Sequence, residues 1–162
     1  MSTEDILREL LAIEQPATIP MMLRRVDDLK PIVSKRGSLD YYEYLAEYVF
    51  FKDSSGAVWV SEEDSKDYSH YRPMFDREIS EVPEIEIINA ITETLSEQVA
   101  ITEQDLLRMA SKKMEIPRYN PSVATAFKKG LEKMKLRGIV ETAGSKLRLK
   151  FENKEYNEDQ KN

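Results

Sequence analysis

Few residues of this 162-residue chain have the types and spacing that enzyme chemistry needs. The acid-x-lysine pattern of metal-assisted phosphodiester cleavage occurs as Asp28-Leu29-Lys30 and as Glu152-Asn153-Lys154. Such a site needs a second carboxylate on a neighbouring strand to hold Mg²⁺. Asp28 lies in a helical pattern and Glu152 in a polar tail, so neither has that setting. We therefore expect no catalytic residues and no metal site.

The remaining side chains restrict enzyme chemistry further. The chain has no cysteine and a single histidine, His70. This composition excludes disulfides, thiol nucleophiles, thiolate zinc sites and any Ser-His site that is not built on His70. His70 has no partner motif nearby, so we predict a surface or packing role. There is no Gly-rich GK[ST] loop, so we expect neither an ATPase nor a bound cofactor.

The clearest candidate for a binding function is residues 120–150, predicted as a helix followed by a tight hairpin. Lysines on such a helix contact phosphates, while short side chains let the backbone approach duplex DNA. Glu132 shares the outer face, and no Arg, Asn or Gln stands at mid-helix to read bases, which predicts backbone contact without sequence choice. The candidate nucleic-acid-binding residues are Ser122, Thr125, Lys128, Lys129, Lys133, Lys146 and Arg148.

The charge distribution admits such a contact although the chain has a net charge of −6. Residues 1–82 carry 17 acidic and 10 basic side chains, and the tail 151–162 carries 4 and 2. Residues 83–150 carry 9 acidic and 12 basic side chains, a net charge of +3. Because the positive charge is confined to one part of the chain, a local contact with a polyanion is compatible with the acidic total.

Two further helices must position residues 120–150. Pro83 suits a first helical turn, and Glu84 and Glu86 follow it at the positive end of the helix dipole. A short strand over residues 99–101 leads to Thr102, which can cap a second helix. Gly130 in mid-helix predicts a close approach by another helix, and Gly138 predicts the helix end. This order predicts a winged-helix domain at residues 83–150.

The first part of the chain repeats the same order of elements. A helix ends at Pro16, a short extended segment follows, and a second helix runs from Pro20 to about residue 29, before a loop over residues 30–37. A short helix over residues 39–47 precedes a hairpin made of residues 49–52 and 57–61. The predicted fold is mainly α with short β-hairpins, as tandem winged-helix (helix-turn-helix) domains. Residues 1–62 and 83–150 are the two domains, 63–82 a linker and 151–162 a polar tail that we expect to be disordered.

Aromatic residues are concentrated between residues 41 and 59. Exposed rings stack on single-stranded bases, but aromatic residues in strands more often build a core. The surrounding acids would repel phosphates, which favours a protein-contact or spacer role for this half. The aromatic residues are Tyr41, Tyr42, Tyr44, Tyr48, Phe50, Phe51 and Trp59.

One stretch carries a resemblance to a known family. The pattern Arg77-x-Ile79-x-x-Val82-Pro83-x-x-Glu86-Ile87-x-x-Ala90, followed by the winged-helix pattern to Leu149, resembles an uncharacterised domain. That domain lies near the C-terminus of large bacterial superfamily-one helicase and nuclease-like proteins. The resemblance covers about the second half of the chain and implies an accessory module of a nucleic-acid-processing machine.

The sequence thus predicts a non-catalytic module that binds DNA or belongs to a DNA-bound complex. The partners that this implies are duplex DNA and a helicase- or nuclease-type protein. An adaptor that docks through the aromatic, acidic N-terminal half is an alternative, and a dimeric transcriptional regulator is another. Without a long apolar run or a secretory signal, we expect no membrane contact and a cytoplasmic location.

Overall fold

The computed structural model describes residues 2–29 and 39–150. They form a mainly helical protein with two small antiparallel strand pairs, which confirms the predicted fold class at this level. The described residues do not include the predicted loop over residues 30–37, which contains Lys30, or the tail with Glu152 and Lys154. The first half comprises α1 (Thr3–Glu14), α2 (Ile19–Asp28), α3 (Leu39–Tyr48), β1 (Phe51–Lys52), β2 (Val58–Trp59) and α4 (Glu62–Ser65).

Local hydrogen bonds set where the first two helices begin. Ser2 and Asp5 form a capping box at the start of α1, in which each side chain bonds the other residue's backbone N–H. Thr18 caps α2 by accepting from the backbone N–H of Met21 at 3.3 Å. The predicted strand between these helices is a single bridge, in which Ala17 pairs with Val58 of β2.

The first hairpin is shorter than its sequence pattern predicts. Val49 and Phe50 were expected in the strand, but their N–H groups bond the carbonyl of Leu45 at 3.0 and 2.8 Å and so continue the end of α3. At the other end, Asp53 organises the loop and accepts a 3.0 Å bond from the indole Nε1 of Trp59. The backbone groups engaged at the end of α3 and in the loop are not available for the strand–strand hydrogen bonds of a longer hairpin.

The second half comprises a 3₁₀ turn (Ile79–Glu81), α5 (Glu84–Ser96), α6 (Glu103–Lys113), α7 (Pro121–Leu136), β3 (Val140–Ala143) and β4 (Lys146–Leu149). Ile101 bridges Leu147 of β4, as Ala17 bridges the last strand of the first half. Thr102 caps α6 and Asn120 caps α7, as predicted. Both halves therefore share one order: helix, bridge, two helices, hairpin.

The two glycine predictions in α7 are confirmed. A Cβ atom added at Gly130 would lie 3.1 Å from Cγ2 of Ile87 in α5, so the two helices meet closely there. Gly138 has φ +70° directly after α7 and ends it in the left-handed conformation that glycine adopts without strain. Each half has its own apolar core, and Phe127 of α7 is fully buried in the second.

A buried ion cluster joins the two halves. The carboxylate of Glu86 in α5 is completely buried and lies 2.8 Å from guanidinium nitrogens of both Arg72 and Arg77. Arg72 also donates 2.6 Å hydrogen bonds to the carbonyls of Glu14 and Pro16 at the end of α1. The segment predicted as a linker thus carries the side chains that connect α1 to α5.

The concentration of aromatic residues divides between core and surface. Tyr42 and Trp59 are 0% and 2% exposed and pack inside, whereas Tyr44 and Tyr48 of α3 are 54% and 74% exposed. The same stretch therefore supplies both a core and an exposed aromatic pair. Among the helices of residues 2–29 and 39–150, none is long and apolar enough to cross a membrane.

Candidate nucleic-acid interface

The outer face of α7 presents the candidate residues of that helix to solvent. Val123, Phe127 and Leu131 face the core, so the opposite arc points outward. Ser122, Thr125, Lys128 and Lys129 are exposed on this outer arc. Thr125 directs its hydroxyl back to the carbonyl of Pro121 at 2.9 Å, which leaves a short side chain on this face.

Two of the seven candidates are held by carboxylates. The Nζ atom of Lys133 lies 2.8 Å from Glu84 at the start of α5, and only 28% of the lysine side chain is exposed. Arg148 donates a 2.7 Å hydrogen bond to Glu141 across the β3–β4 ladder. These cations are already partly neutralised, so a phosphate would gain less from them than from an unpaired lysine. Glu84 is distant from Lys133 in sequence, so the helical wheel alone did not show that pair, whereas Glu141 and Arg148 face each other across one hairpin.

Tertiary structure adds cations from α6 that the sequence analysis did not select. Arg108 and Lys112 are exposed one turn apart on α6, and both line a pocket together with Lys146 of β4. Arg108 also lines a second pocket, whose far side is formed by Lys128 of α7. The two pockets adjoin at Arg108 and bring α6, α7 and the hairpin together. The sequence signal for Arg108 and Lys112 was their i, i+4 spacing, which places both on one side of α6.

We call the exposed cations Arg108, Lys112, Lys128, Lys129 and Lys146 the cationic face. Four of them line the two pockets, whereas Lys129 lines neither and lies on the side of α7 that also carries Ser122. Among the ion pairs formed by the described residues, none involves these five side chains, whereas Lys113 next to Lys112 is 2.9 Å from Glu97. The guanidinium of Arg108 lies over the ring of Tyr119 at 5.0 Å, which fixes its position without neutralising it.

Carboxylates border this face and reduce its net charge. Glu103 and Glu132 both bond Lys135, at 3.2 and 3.3 Å, so this lysine balances part of their charge. Partial burial opposes the charged form of Lys135, but its hydrogen bonds to the two glutamates outweigh this and raise its pKa. Asp105 lines the same pocket as Lys146 and opposes an anion there.

Ser122 belongs to a different part of the surface. It lines a pocket on the other flank of α7, with Arg118 and the exposed ring of Phe75. The structure therefore brings together Lys128, Lys146 and the two cations of α6, and places Ser122 away from them.

Of the residues considered for catalysis, Asp28 and His70 lie within the described part of the chain and have no catalytic partner there. Asp28 is 61% exposed at the end of α2 and lies 3.9 Å from the guanidinium of Arg25. The exposed His70 packs its ring edge-on against Tyr68 at 5.8 Å. Within residues 2–29 and 39–150, no three Asp, Glu or His side chains are placed to hold a metal ion.

Comparison of the chain with models of known protein families, with curated proteins and with solved structures found no match.

Proposed function

We propose that this chain is a non-catalytic, tandem winged-helix module that contacts the backbone of duplex DNA through its second half. The fold part of this proposal is supported by the common order of elements and by the bridges of Ala17 and Ile101 to the last strand of each half. A helix-turn-helix with a flanking hairpin presents its third helix to the major groove. In the second half that helix is α7.

The cationic face is the observation that carries the DNA proposal. Arg108 and Lys112 from α6, Lys128 and Lys129 from α7 and Lys146 from β4 are exposed on three elements that meet at adjoining pockets. Exposed cations on three neighbouring elements can meet several backbone phosphates of a duplex, and each cation that meets a phosphate releases a counterion.

The same face supports backbone contact rather than base reading. Glu132 is exposed on the outer arc of α7 and would repel phosphates and base acceptors at the centre of the groove. Within α7 there is no Arg for a guanine edge and no Asn or Gln for an adenine edge. We therefore expect binding with little preference among sequences.

A salt titration tests this proposal. Fluorescence anisotropy with a labelled random-sequence duplex is expected to show binding at low salt that weakens steeply as salt rises. The Lys128→Gln/Lys129→Gln variant and the Arg108→Gln/Lys112→Gln variant are each expected to reduce the slope of log K against log salt by about two, because each lost phosphate contact removes about one unit.

Matched controls come from the paired lysines. Lys113→Gln removes one charge next to Lys112, and Lys133→Gln removes one from α7, but both lysines bind carboxylates in the structure. Lys113→Gln is expected to leave the slope nearly unchanged. Lys133→Gln is expected to reduce the slope less than a single substitution of Lys128 or of Lys129 does. Absence of binding by the wild-type chain at low salt, or equal slopes for all variants, overturns the proposal.

The resemblance of residues 77–149 to a domain of helicase and nuclease-like proteins extends the proposal to a biological setting. We propose that the module serves as an accessory part of a nucleic-acid-processing complex, in which DNA contact and protein contact are divided between the two halves.

A further inference from the structure

Helix α3 has the same place in the first half that α7 has in the second, but its outer face carries the opposite charge. Both follow the second helix of their half and precede its hairpin. The outer face of α7 carries Lys128 and Lys129, whereas that of α3 carries Asp40, Glu43 and Glu47, all exposed. Phosphates would be repelled from α3, so this face does not extend the DNA contact.

An exposed aromatic pair lies among these acids. Tyr44 and Tyr48, one helical turn apart, are 54% and 74% exposed, and their ring centroids are 5.2 Å from each other. Tyr42 and Leu45 on the opposite side of α3 are buried and anchor the helix in the first core. The tyrosine pair is therefore held outward by a fixed helix rather than placed on a loose segment.

Asp40, Tyr44 and Tyr48 stand one above another at i, i+4 and i+8, and Glu43 and Glu47 form the adjacent row. The exposed side of α3 thus carries three carboxylates beside the rings of Tyr44 and Tyr48. Lys52 of β1 lies 3.0 Å from Glu47 and balances part of this charge. Residues 39–48 still leave a net negative surface beside aromatic faces.

This combination is suited to cationic side chains. The negative face of an aromatic ring attracts an ammonium or guanidinium group, and neighbouring carboxylates pair with the same group. Arginine suits such a surface best, because its planar guanidinium stacks on a ring and donates to a carboxylate. An acidic ligand would be repelled by the same carboxylates, and a neutral one would lack the charge attraction.

We propose that the outer face of α3 docks an arginine-rich segment of a partner protein, with Tyr44 and Tyr48 as the stacking rings and Asp40, Glu43 and Glu47 as the anionic rim. The inference goes beyond the proposed DNA contact and does not depend on it. The outer face of α3 and the cationic face lie in different halves and carry charges of opposite sign. The charge complementarity of rings and carboxylates selects a cationic partner over a nucleic acid.

A labelled peptide tests the proposal on the full chain. The probe is a short fluorescein-labelled helical peptide with one arginine in every turn, measured by anisotropy, with a glutamate-substituted peptide as the reference ligand. The wild-type chain is expected to bind the arginine peptide in a salt-sensitive manner and to ignore the glutamate peptide. Tyr44→Ala/Tyr48→Ala is expected to raise the Kd about tenfold through the loss of two exposed cation–π contacts.

The chain offers matched controls for ring and charge. Phe75→Ala removes a ring that is 91% exposed but lies outside α3, and Glu62→Gln/Glu63→Gln removes two exposed acids of α4. Both are expected to keep wild-type peptide affinity, whereas Glu43→Gln/Glu47→Gln is expected to lower it. All of these are surface changes, and the fluorescence of the buried Trp59 checks that the first half is folded.

The outcomes separate this inference from the DNA proposal. Loss of peptide affinity in the tyrosine variant, with the control variants unchanged, supports docking on α3 whatever the DNA titration gives for the wild-type chain. Equal peptide affinity in wild type and the tyrosine variant, tight binding of the glutamate peptide, or no peptide binding at low salt overturns it. Self-association that the tyrosine variant abolishes assigns the face to a second copy and also overturns the partner proposal.

Discussion

Replacing Glu86 with glutamine tests the ion cluster that joins the two halves. The carboxylate is 0% exposed and accepts hydrogen bonds from Arg72 and Arg77, including the backbone N–H of Arg72 at 2.8 Å. Glutamine keeps the size of the side chain but removes its charge and turns an N–H₂ donor toward guanidinium donors. The side chain of Arg77 is only 7% exposed and would be left as an unpaired buried charge.

The expected loss follows from this burial. Removing one partner of a buried ion pair costs about 3–5 kcal/mol, because the other charge stays desolvated without compensation. Arg72 is 34% exposed and recovers part of its solvation, so we expect a loss of about 3 kcal/mol in the free energy of unfolding. An exposed pair gives the control: Glu141→Gln, opposite Arg148, is expected to cost less than about 1 kcal/mol.

Urea denaturation followed by two probes measures this loss. Trp59, the single tryptophan, reports on the first half, and far-UV circular dichroism reports on all helices. We expect coincident transitions in the wild-type chain and separate midpoints in Glu86→Gln, because the cluster couples α1 to α5. A loss in Glu86→Gln no larger than that in Glu141→Gln would refute the reasoning.

The pH dependence gives a second measure of the same cluster. Burial alone would raise the pKa of Glu86, but the hydrogen bonds and charges of Arg72 and Arg77 outweigh it and hold the pKa below its ordinary value. A lowered folded-state pKa contributes stability that is fully present above the unfolded value of about 4.3 and is lost as the pH falls below it. The stability difference between wild type and Glu86→Gln should therefore shrink below about pH 4, and a difference that grows there would contradict this assignment.

Two further substitutions test local packing and backbone strain. Gly130→Ala is expected to lower the free energy of unfolding by about 1 kcal/mol, because overpacking against Ile87 at 3.1 Å exceeds the gain in helix propensity; a more stable variant in urea denaturation would contradict this. Phe75 has φ +52° and a side chain that is 91% exposed. Phe75→Asn is expected to raise stability by about 0.5–1 kcal/mol relative to Phe75→Ala, since asparagine tolerates the left-handed conformation better, and equal thermal midpoints for the two variants would refute it.

Features that depend on neighbouring residues were predictable from the sequence. The caps at Thr102 and Asn120, the close approach at Gly130 and the helix end at Gly138 agree with the structure. The first hairpin was less predictable, because the β-branched and aromatic residues after Tyr48 favour a strand by composition, whereas backbone hydrogen bonds at the end of α3 decide where the strand begins. Backbone N–H groups there bond to Leu45 instead of to the opposite strand.

The candidate interface shows what the sequence pattern did not reveal. Lys133 and Lys129 are equivalent by helical spacing, yet only Lys133 meets Glu84 of another helix. Arg108 and Lys112 were not selected, because the pocket that they line together with Lys146 forms only when the chain is folded. Which lysine is free depends on contacts between elements.

Glu86 shows most clearly the difference between what the sequence determines and what the tertiary structure determines. From its position, the sequence assigned it to the positive end of a helix dipole, and it does lie in the first turn of α5. The tertiary structure in addition buries it between Arg72 and Arg77, which reach it from the preceding segment. The sequence by itself determined the helices, their caps and the uneven charge of the chain, since these follow from residues within a few positions. Only the tertiary structure decided which charges are buried, paired or free, because that depends on which segments the fold brings into contact.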